Sequence, residues 1–156
     1  MSISIGQTAP DFKLFDSVKK ETTLSQFKGK NVLLLFFPFA FTGTCTTELC
    51  AVRDDIASYN NANAEVLGIS IDSLFTLAKF KDELKLNFTL LSDFNKEAST
   101  AYGSLYSEFV FGTKGVAKRS AFVIDKEGIV QYAEVLEKST DIPNFVEINK
   151  VLSSLH

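Results

Sequence analysis

The apolar residues of this chain form short continuous runs separated by stretches with helical spacing. Residues 32–37 are six consecutive apolar residues, a pattern that predicts a central strand covered on both faces. Residues 66–71 form a second run and residues 88–91 a third. Between the second and third runs, the apolar positions of residues 74–84 recur with a helical period. The pattern therefore predicts parallel β-α-β units around a buried sheet.

A further helix is predicted directly after the first apolar run. Leu49, Val52, Ile56 and Tyr59 recur at spacings of three and four residues, which gives a single helix with one apolar stripe. This stripe can pack on the sheet. Cys45, at the start of the helix, is expected to lie outside the stripe.

The two ends of the chain carry shorter elements. Residues 11–15 and 22–24 predict an N-terminal β-hairpin, and residues 121–124 and 129–135 predict a second hairpin around an Asp-Lys-Glu-Gly turn. Pro143 is expected to open a last amphipathic helix. Together with the parallel units, these elements predict an α/β fold with a central mixed β-sheet flanked by helices and an N-terminal β-hairpin.

Turn and capping residues mark several boundaries of these elements. The pair Asp72-Ser73 is expected to supply the cap of the helix at residues 74–84. Gly103 is placed to end a short helix at residues 96–102. Residues 106–118 contain two glycines and are interpreted as a loop or a ragged strand pair.

Length, composition and charge limit the class of protein. The chain has 156 residues, which fits a single domain spanning residues 1–156 that can fold without metal or disulfides. It is 46% hydrophobic and 22% charged, as globular proteins are. The net charge of −3 gives no sign of a nucleic-acid partner. The apolar runs are far shorter than the ~20 residues of a membrane span, and no signal peptide is evident, so a cytoplasmic protein without a membrane partner is expected.

Cys45 is the candidate nucleophile. A cysteine in the first turn of a helix meets unpaired N–H groups and the positive end of the helix dipole, which favour the reactive thiolate. The alternative is a buried cysteine that acts as a small hydrophobic residue. The only histidine is His156 at the C-terminus, so no Cys–His couple is evident. The cation beside a thiolate would then be one of the two arginines, Arg53 or Arg119.

The sequence around Cys45 resembles the active-site loop of the peroxiredoxins. Pro38-x-x-x-Thr42-x-x-Cys45 has the spacing of that family's peroxidatic motif. Residues 36–43 are most similar to the alkyl hydroperoxide reductase E branch, and the spacing from Cys45 to Cys50 is similar to the bacterioferritin-comigratory branch. The resemblance implies a thioredoxin-like fold with Cys45 as the peroxidatic cysteine. It also implies that the Thr42 hydroxyl holds the peroxide and that Pro38 shields the thiolate and shapes the loop.

Three charged residues are candidates for tuning the thiolate. Arg119 stands just before the strand at residues 121–124, where its guanidinium group can reach the thiolate, and it aligns with the active-site arginine of the peroxiredoxins. Glu48 is expected in the first helical turn, where its charge opposes thiolate formation, so either Arg119 outweighs it or Glu48 faces away. Arg53 is expected to orient the loop or to pair with Asp54 or Glu48.

Two phenylalanines in the loop have two possible uses. Phe39 and Phe41 form either an apolar wall of the substrate pocket or an exposed patch that contacts another subunit. With the resemblance, such a patch predicts a homodimer through the face of the active-site loop. A monomer is the alternative.

Cys50 determines how oxidised Cys45 would be recycled. Residues five apart on an intact α-helix are separated by about 7.5 Å of rise and about 140° of rotation, which is too far for a disulfide. We therefore expect the first turns of the helix to unwind after oxidation, so that Cys50 attacks the sulfenate. If Cys50 instead faces the core, an outside thiol has to resolve the sulfenate.

These observations predict a thiol peroxidase that reduces hydrogen peroxide and organic hydroperoxides through a cysteine sulfenate. The resemblance implies a thioredoxin- or glutaredoxin-like reductant and no metal, haem or flavin cofactor. A thioredoxin-type disulfide oxidoreductase is the second hypothesis, but it needs Cys-x-x-Cys and a proline ahead of a later strand, and prolines occur only at positions 10, 38 and 143. A third hypothesis, a non-enzymatic interaction module, leaves Thr42, Cys45 and Arg119 unexplained.

Overall fold

A seven-stranded mixed sheet forms the centre of the computed structural model, which describes residues 2–155. The strands are β1 (Lys13–Asp16), β2 (Glu21–Thr23), β3 (Asn31–Phe36), β4 (Ala64–Ser70), β5 (Thr89–Ser92), β6 (Ser120–Ile124) and β7 (Val130–Val135). The helices are α1 (Gly43–Asp54), α2 (Ile56–Asn61), α3 (Leu74–Leu84), α4 (Glu97–Ala101) and α5 (Phe145–Ser154). His156 lies outside the described residues.

The order of the strands confirms the predicted fold class. In the order β2-β1-β5-β4-β3-β6-β7, strands β3, β4 and β5 are parallel, as the β-α-β prediction requires. The β6–β7 pair is the predicted second hairpin, and β1–β2 is the predicted N-terminal hairpin, which joins the sheet antiparallel to β5. Because β6 runs antiparallel to β3, the start of β6 lies beside the end of β3.

Strand β3 is buried on both faces, which explains its continuous apolar sequence. Leu33 and Leu35 belong to the hydrophobic cluster that α1, α3 and α5 cover. Leu34 and Phe36 belong to a second cluster on the opposite face, with α4 and the N-terminal segment. Since successive side chains of a strand point to opposite faces, a strand with two covered faces cannot alternate apolar with polar residues.

The helix predicted after β3 is in fact two helices. The α1 helix ends at Asp54, Asp55 has φ −109° and ψ 18°, and α2 starts at Ile56. The apolar stripe continues across this break, because Ile56 and Tyr59 pack against the same cluster as α1. An apolar stripe in the sequence indicates which face of a helix is buried, but it does not indicate where the backbone interrupts the helix.

Capping residues set the starts of two other helices. Of the predicted pair Asp72-Ser73, Ser73 is the residue that caps α3, because its side chain accepts a hydrogen bond from the backbone N–H of Thr76. The last helix does not begin at Pro143 as predicted. It begins at Phe145, because the Asn144 side chain accepts a hydrogen bond from Glu147 N–H.

Residues 106–118 form a long excursion at the end of the sheet where β3 ends. An isolated bridge between Leu105 and Ala117 closes its base, and Val110–Gly112 is a short 3-10 turn at its tip. The excursion therefore matches the interpretation as a loop or ragged strand pair. It brings three consecutive apolar residues close to the start of α1.

Candidate active site

The loop between β3 and α1 leaves the sheet at Pro38. The last ladder hydrogen bond of this region runs from Phe37 N–H to the carbonyl of Ile69, and Pro38, which is buried, has no N–H with which to continue it. Two residues later, Ala40 N–H donates to Oδ2 of Asp72 at 2.8 Å. Phe41 then adopts a left-handed conformation with φ +65°, which turns the chain into α1.

Cys45 is the third residue of α1 and has no exposed surface. The expectation that it lies outside the apolar stripe is wrong, because Cys45, Leu49 and Val52 share the buried face of α1. A residue four positions before Leu49 and seven before Val52 lies on the same side of the helix. The thiol nevertheless borders a cavity of about 360 Å³, so it lies beneath an opening in the surface.

Arg119 lies against the thiol. Residue pairing places Ser120 of β6 opposite Phe36 of β3, so the residue before β6 stands beside the loop that leaves β3. The Nη2 atom of Arg119 donates to Sγ of Cys45 at 3.3 Å and to the carbonyl of Ser139 at 2.9 Å. The residue is 1% exposed. A guanidinium group held in this way stabilises negative charge on the sulfur.

Glu48 is the second partner of Arg119. Contrary to expectation, Glu48 lies beyond the first turn of α1. Of the two alternatives for its side chain, facing away is wrong, because the carboxylate contacts Arg119. It is fully buried, and its Oε1 accepts a hydrogen bond from Arg119 Nη1 at 2.6 Å. Burial raises the pKa of Glu48 to about 7, although the charge and hydrogen bond of Arg119 act in the opposite direction. The second oxygen, Oε2, has no hydrogen-bond partner.

The charge of Arg119 is maintained by its two neighbours. Burial alone would lower the pKa of Arg119, but the Glu48 carboxylate and the Cys45 sulfur raise it and outweigh the burial. One cation therefore serves two groups that can each be negative. When Glu48 is protonated, the guanidinium charge is left to the sulfur alone.

Thr42 is the residue before α1, but its side chain does not cap the helix. Its hydroxyl donates to the carbonyl of Phe39 at 2.7 Å. The lone pairs of the hydroxyl oxygen therefore remain free to accept a hydrogen bond from another group. The N–H groups of Gly43, Thr44 and Cys45 also have no intrahelical partner, because they belong to the first turn. The mouth of the cavity thus offers the Thr42 oxygen as a hydrogen-bond acceptor and the N–H groups of the first turn as hydrogen-bond donors.

Cys50 lies on α1 together with Cys45, and both are free thiols in the structure. Cys50 is partly exposed, so it does not face the core as Cys45 does. With α1 intact, the two sulfurs are too far apart to form a bond. A disulfide between them requires part of α1 to unwind.

Of the three remaining candidates, only one reaches the cavity. Phe39 lines it and packs against Phe109, with ring centroids 6.2 Å apart. Phe41 does not line it; its ring packs on Phe80 and remains 49% exposed. Arg53 also lies elsewhere, because it pairs with Asp54 at 2.9 Å, as one alternative predicted, and donates to the Leu84 carbonyl at 2.6 Å.

Sequence reasoning missed several residues of the cavity. Phe109, Val110 and Phe111 come from the excursion and form its apolar rim, and Phe111 is 99% exposed. Ser139 contributes the carbonyl that holds Arg119. The run of three apolar residues just before Gly112 was a visible signal for the rim. No signal in the sequence pointed to the Ser139 carbonyl, because any residue can supply a backbone oxygen.

Two kinds of feature are absent from residues 2–155. No helix there combines the length and apolar character that crossing a membrane needs. Within the same residues, no three side chains of the types His, Cys, Asp and Glu come together in a group suited to a metal ion.

The sequence is similar to known peroxiredoxins over most of its length. The model of the AhpC/TSA family matches residues 5–133. Alkyl hydroperoxide reductase E of Mycobacterium tuberculosis is 40% identical over 137 residues, which cover 85% of this chain and 86% of that protein. The chloroplastic peroxiredoxin Q of Oryza sativa subsp. japonica is 40% identical over 130 residues, covering 83% of this chain and 58% of that protein.

The fold is similar to that of a solved peroxiredoxin. The crystal structure of peroxidoxin BcpB from Mycobacterium tuberculosis superposes with a TM-score of 0.87 and 29% sequence identity, covering 99% of both chains. This similarity confirms the predicted thioredoxin-like fold, and the mixed sheet with helices on both faces is its expected architecture.

Proposed function

Because this chain belongs to the AhpC/TSA family of peroxiredoxins and is a thiol-dependent peroxidase, we propose that Cys45 is the thiol that attacks the peroxide. The observation that carries this assignment is the 3.3 Å hydrogen bond from Arg119 Nη2 to Cys45 Sγ. It stabilises the thiolate, which is the nucleophilic form of a cysteine.

In the first step the Cys45 thiolate attacks the terminal oxygen of the hydroperoxide. A sulfur–oxygen bond forms as the oxygen–oxygen bond breaks, so the sulfur is oxidised by two electrons to a sulfenic acid. The leaving oxygen takes up a proton and departs as water or an alcohol. Negative charge moves from sulfur to the leaving oxygen, and Arg119 together with the free N–H groups at the start of α1 stabilises it there.

Thr42 orients the peroxide, and Pro38 shields the thiolate. The Thr42 hydroxyl already donates to the Phe39 carbonyl, so its oxygen acts as the acceptor for the O–H of the peroxide. This bond aligns the oxygen–oxygen bond with the sulfur. Pro38 lines the cavity without a donor of its own and shields the thiolate from water.

In the second step Cys50 resolves the sulfenic acid. The Cys50 sulfur attacks the Cys45 sulfur and the sulfur–oxygen bond breaks. The oxygen leaves as water, with the proton it carried in the sulfenic acid and the proton released by Cys50. The partial exposure of Cys50 supports this role, because the residue is not fixed in the core. The step requires α1 to unwind between the two cysteines, since their separation on the helix is too large for a disulfide.

A dithiol protein of the thioredoxin or glutaredoxin class then reduces the disulfide by two thiol–disulfide exchanges. Such a reductant needs a reducing compartment, and we place the protein in the cytosol as a single domain. The exposed rings of Phe41 and Phe111, on loops that border the cavity, support a homodimer through this face. Light scattering of the reduced protein tests the dimer, and a monomer mass at all concentrations contradicts it.

The experiment for the proposed function follows the two thiols separately. The chain has no tryptophan, so rapid chemical quench with a thiol-alkylating reagent and mass spectrometry replaces intrinsic fluorescence. Reduced protein mixed with hydrogen peroxide should lose the Cys45 thiol orders of magnitude faster than a free cysteine does. A disulfide linking Cys45 and Cys50 should follow.

Two variants separate the steps. Cys45→Ser should abolish peroxide consumption. Cys50→Ser should retain the first step and accumulate sulfenic and then sulfinic acid at Cys45. If wild-type protein forms no linkage between the two cysteines, Cys50 is not the resolving residue. If the Cys45 thiol reacts no faster than free cysteine, the assignment of Cys45 is wrong.

A further inference from the structure

Asp72 holds the loop that carries the start of α1. Its Oδ2 accepts the N–H of Ala40 at 2.8 Å, although Asp72 lies after a different strand, β4. Among the described residues, this is the one hydrogen bond that ties residues 38–41 to another element of the fold. The other bond in the segment, from Thr42 to the Phe39 carbonyl, is internal to the loop.

Asp72 is itself held rigidly. The Ser70 hydroxyl donates to the same Oδ2 at 2.7 Å and accepts the N–H of Asp72 at 3.2 Å. The carbonyl of Asp72 accepts the Ser92 hydroxyl at 2.6 Å. Ser70 and Ser92 are paired residues of β4 and β5. Asp72 is therefore hydrogen-bonded to two neighbouring strands of the central sheet.

The loop held by Asp72 contains a strained residue. Phe41 follows Ala40 directly, and a phenylalanine with φ +65° adopts a conformation that non-glycine residues avoid. Such a conformation persists only where neighbouring contacts enforce it. The contacts here are the Asp72–Ala40 bond and the packing of the Phe41 ring on Phe80. Without the Asp72 bond, the strain favours opening of the loop.

We propose that Asp72 is a positioning residue that keeps the loop closed for peroxide attack, and that its bond to Ala40 opens before Cys50 reaches Cys45. This inference rests on the proposed function, since it concerns the two steps assigned to Cys45 and Cys50. The closed loop fixes Thr42 and the first N–H groups of α1 around the peroxide. The same loop has to release α1 before the two sulfurs can meet.

The two steps therefore respond to Asp72 in opposite directions. Asp72→Ala removes the acceptor, so it should slow the reaction of Cys45 with hydrogen peroxide by about tenfold or more, because the loop is no longer fixed. The same variant should speed formation of the Cys45–Cys50 disulfide from the sulfenic acid severalfold. Asp72→Asn retains an oxygen acceptor at the same place and should restore both rates toward wild type.

The first step is measured by alkylation and mass spectrometry in a Cys50→Ser background, and the second in the chain with both cysteines. Asp82→Ala, an exposed aspartate of α3, is the matched control and should leave both rates unchanged. Equal rates in Asp72→Ala and the control overturn the inference. A parallel loss in both steps also overturns it, because a purely structural role predicts that result.

A measurement on the wild-type protein covers the case in which Asp72→Ala does not fold. Hydrogen exchange of the Ala40 amide should be slow in the reduced protein and fast in the disulfide form. Equal protection in the two forms overturns the inference. If the wild type forms no Cys45–Cys50 disulfide, the proposed resolving step is wrong, and so is the proposed opening of the Asp72–Ala40 bond before it. The rate of Cys45 oxidation in Asp72→Ala still tests whether Asp72 keeps the loop closed for peroxide attack.

Discussion

The Nη2 atom of Arg119 lies 3.3 Å from Sγ of Cys45, although 74 positions separate the two residues. The contact follows from the antiparallel pairing of β3 with β6, which brings the residue before β6 next to the loop after β3. The guanidinium group is also fixed by Glu48 and by the Ser139 carbonyl. It is thus held in place before any peroxide binds.

Arg119→Lys should lower the rate of Cys45 oxidation by roughly a hundredfold, because an ammonium group cannot hold Cys45, Glu48 and the Ser139 carbonyl at once. The rate is measured by rapid quench with hydrogen peroxide, and circular dichroism checks the fold. Arg53→Lys is the control, since Arg53 lies outside the cavity, and it should stay close to wild type. Equal rates for the two variants would contradict the role of Arg119.

Thr42→Val should slow peroxide oxidation by roughly 10- to 100-fold, because valine has the shape of threonine without the oxygen that accepts the peroxide O–H. Thr42→Ser retains the hydroxyl and should recover most of the rate. Alkylation of Cys45 by iodoacetamide does not use this acceptor, so it should change little in either variant. A loss of alkylation rate that matches the loss of peroxide rate would show that the hydroxyl acts on the thiolate and not on the peroxide.

Glu48 should make the folded state less stable as the pH rises. Its pKa is about 7 in the folded protein against a usual value of 4.5, so the folded state retains a proton that the unfolded state loses between these values. The free energy of unfolding therefore contains a favourable contribution from Glu48 that is complete below pH 4.5 and is lost as the pH rises through about 7. The loss is on the order of 3 kcal/mol.

Urea denaturation of the wild type and of Glu48→Gln from pH 4.5 to 8 measures this effect. Because glutamine does not titrate, the stability of the variant relative to the wild type should increase with pH. Titrating groups that are not coupled to Glu48 cancel in the difference. A difference that is constant across the pH range would mean that Glu48 is ionised throughout and fully compensated by Arg119.

Lys85→Gly should stabilise the protein by up to about 1 kcal/mol, because Lys85 ends α3 with φ +54°, a conformation that glycine adopts without steric cost. Thermal unfolding measures the change. Lys79→Gly, at an exposed position inside the same helix, is the matched control and should destabilise by about 1 kcal/mol. A loss of stability in both variants would refute the role assigned to the left-handed end.

Local patterns in the sequence were sufficient to predict the strands, most of the helices and the fold class. The apolar run of β3 predicted a strand buried on both faces, and Ser73 predicted the start of α3. These predictions succeed because the periodicity of apolar residues and the capping hydrogen bond are both local features of the chain. Choosing Arg119 over Arg53 as the partner of Cys45 relied on its place before a strand and on the family resemblance, since no local signal connects positions 45 and 119.

The sequence by itself therefore determined the strands, most helix boundaries and the residue types around Cys45. Only the tertiary structure decided that Cys45 is buried, that Glu48 turns toward Arg119 and that Asp72 holds Ala40. The physical reason is that these contacts depend on the order and register of β3, β4 and β6 in the sheet. Residues far apart in the chain meet there, and periodicity, charge and motif spacing do not specify which of these distant side chains come into contact.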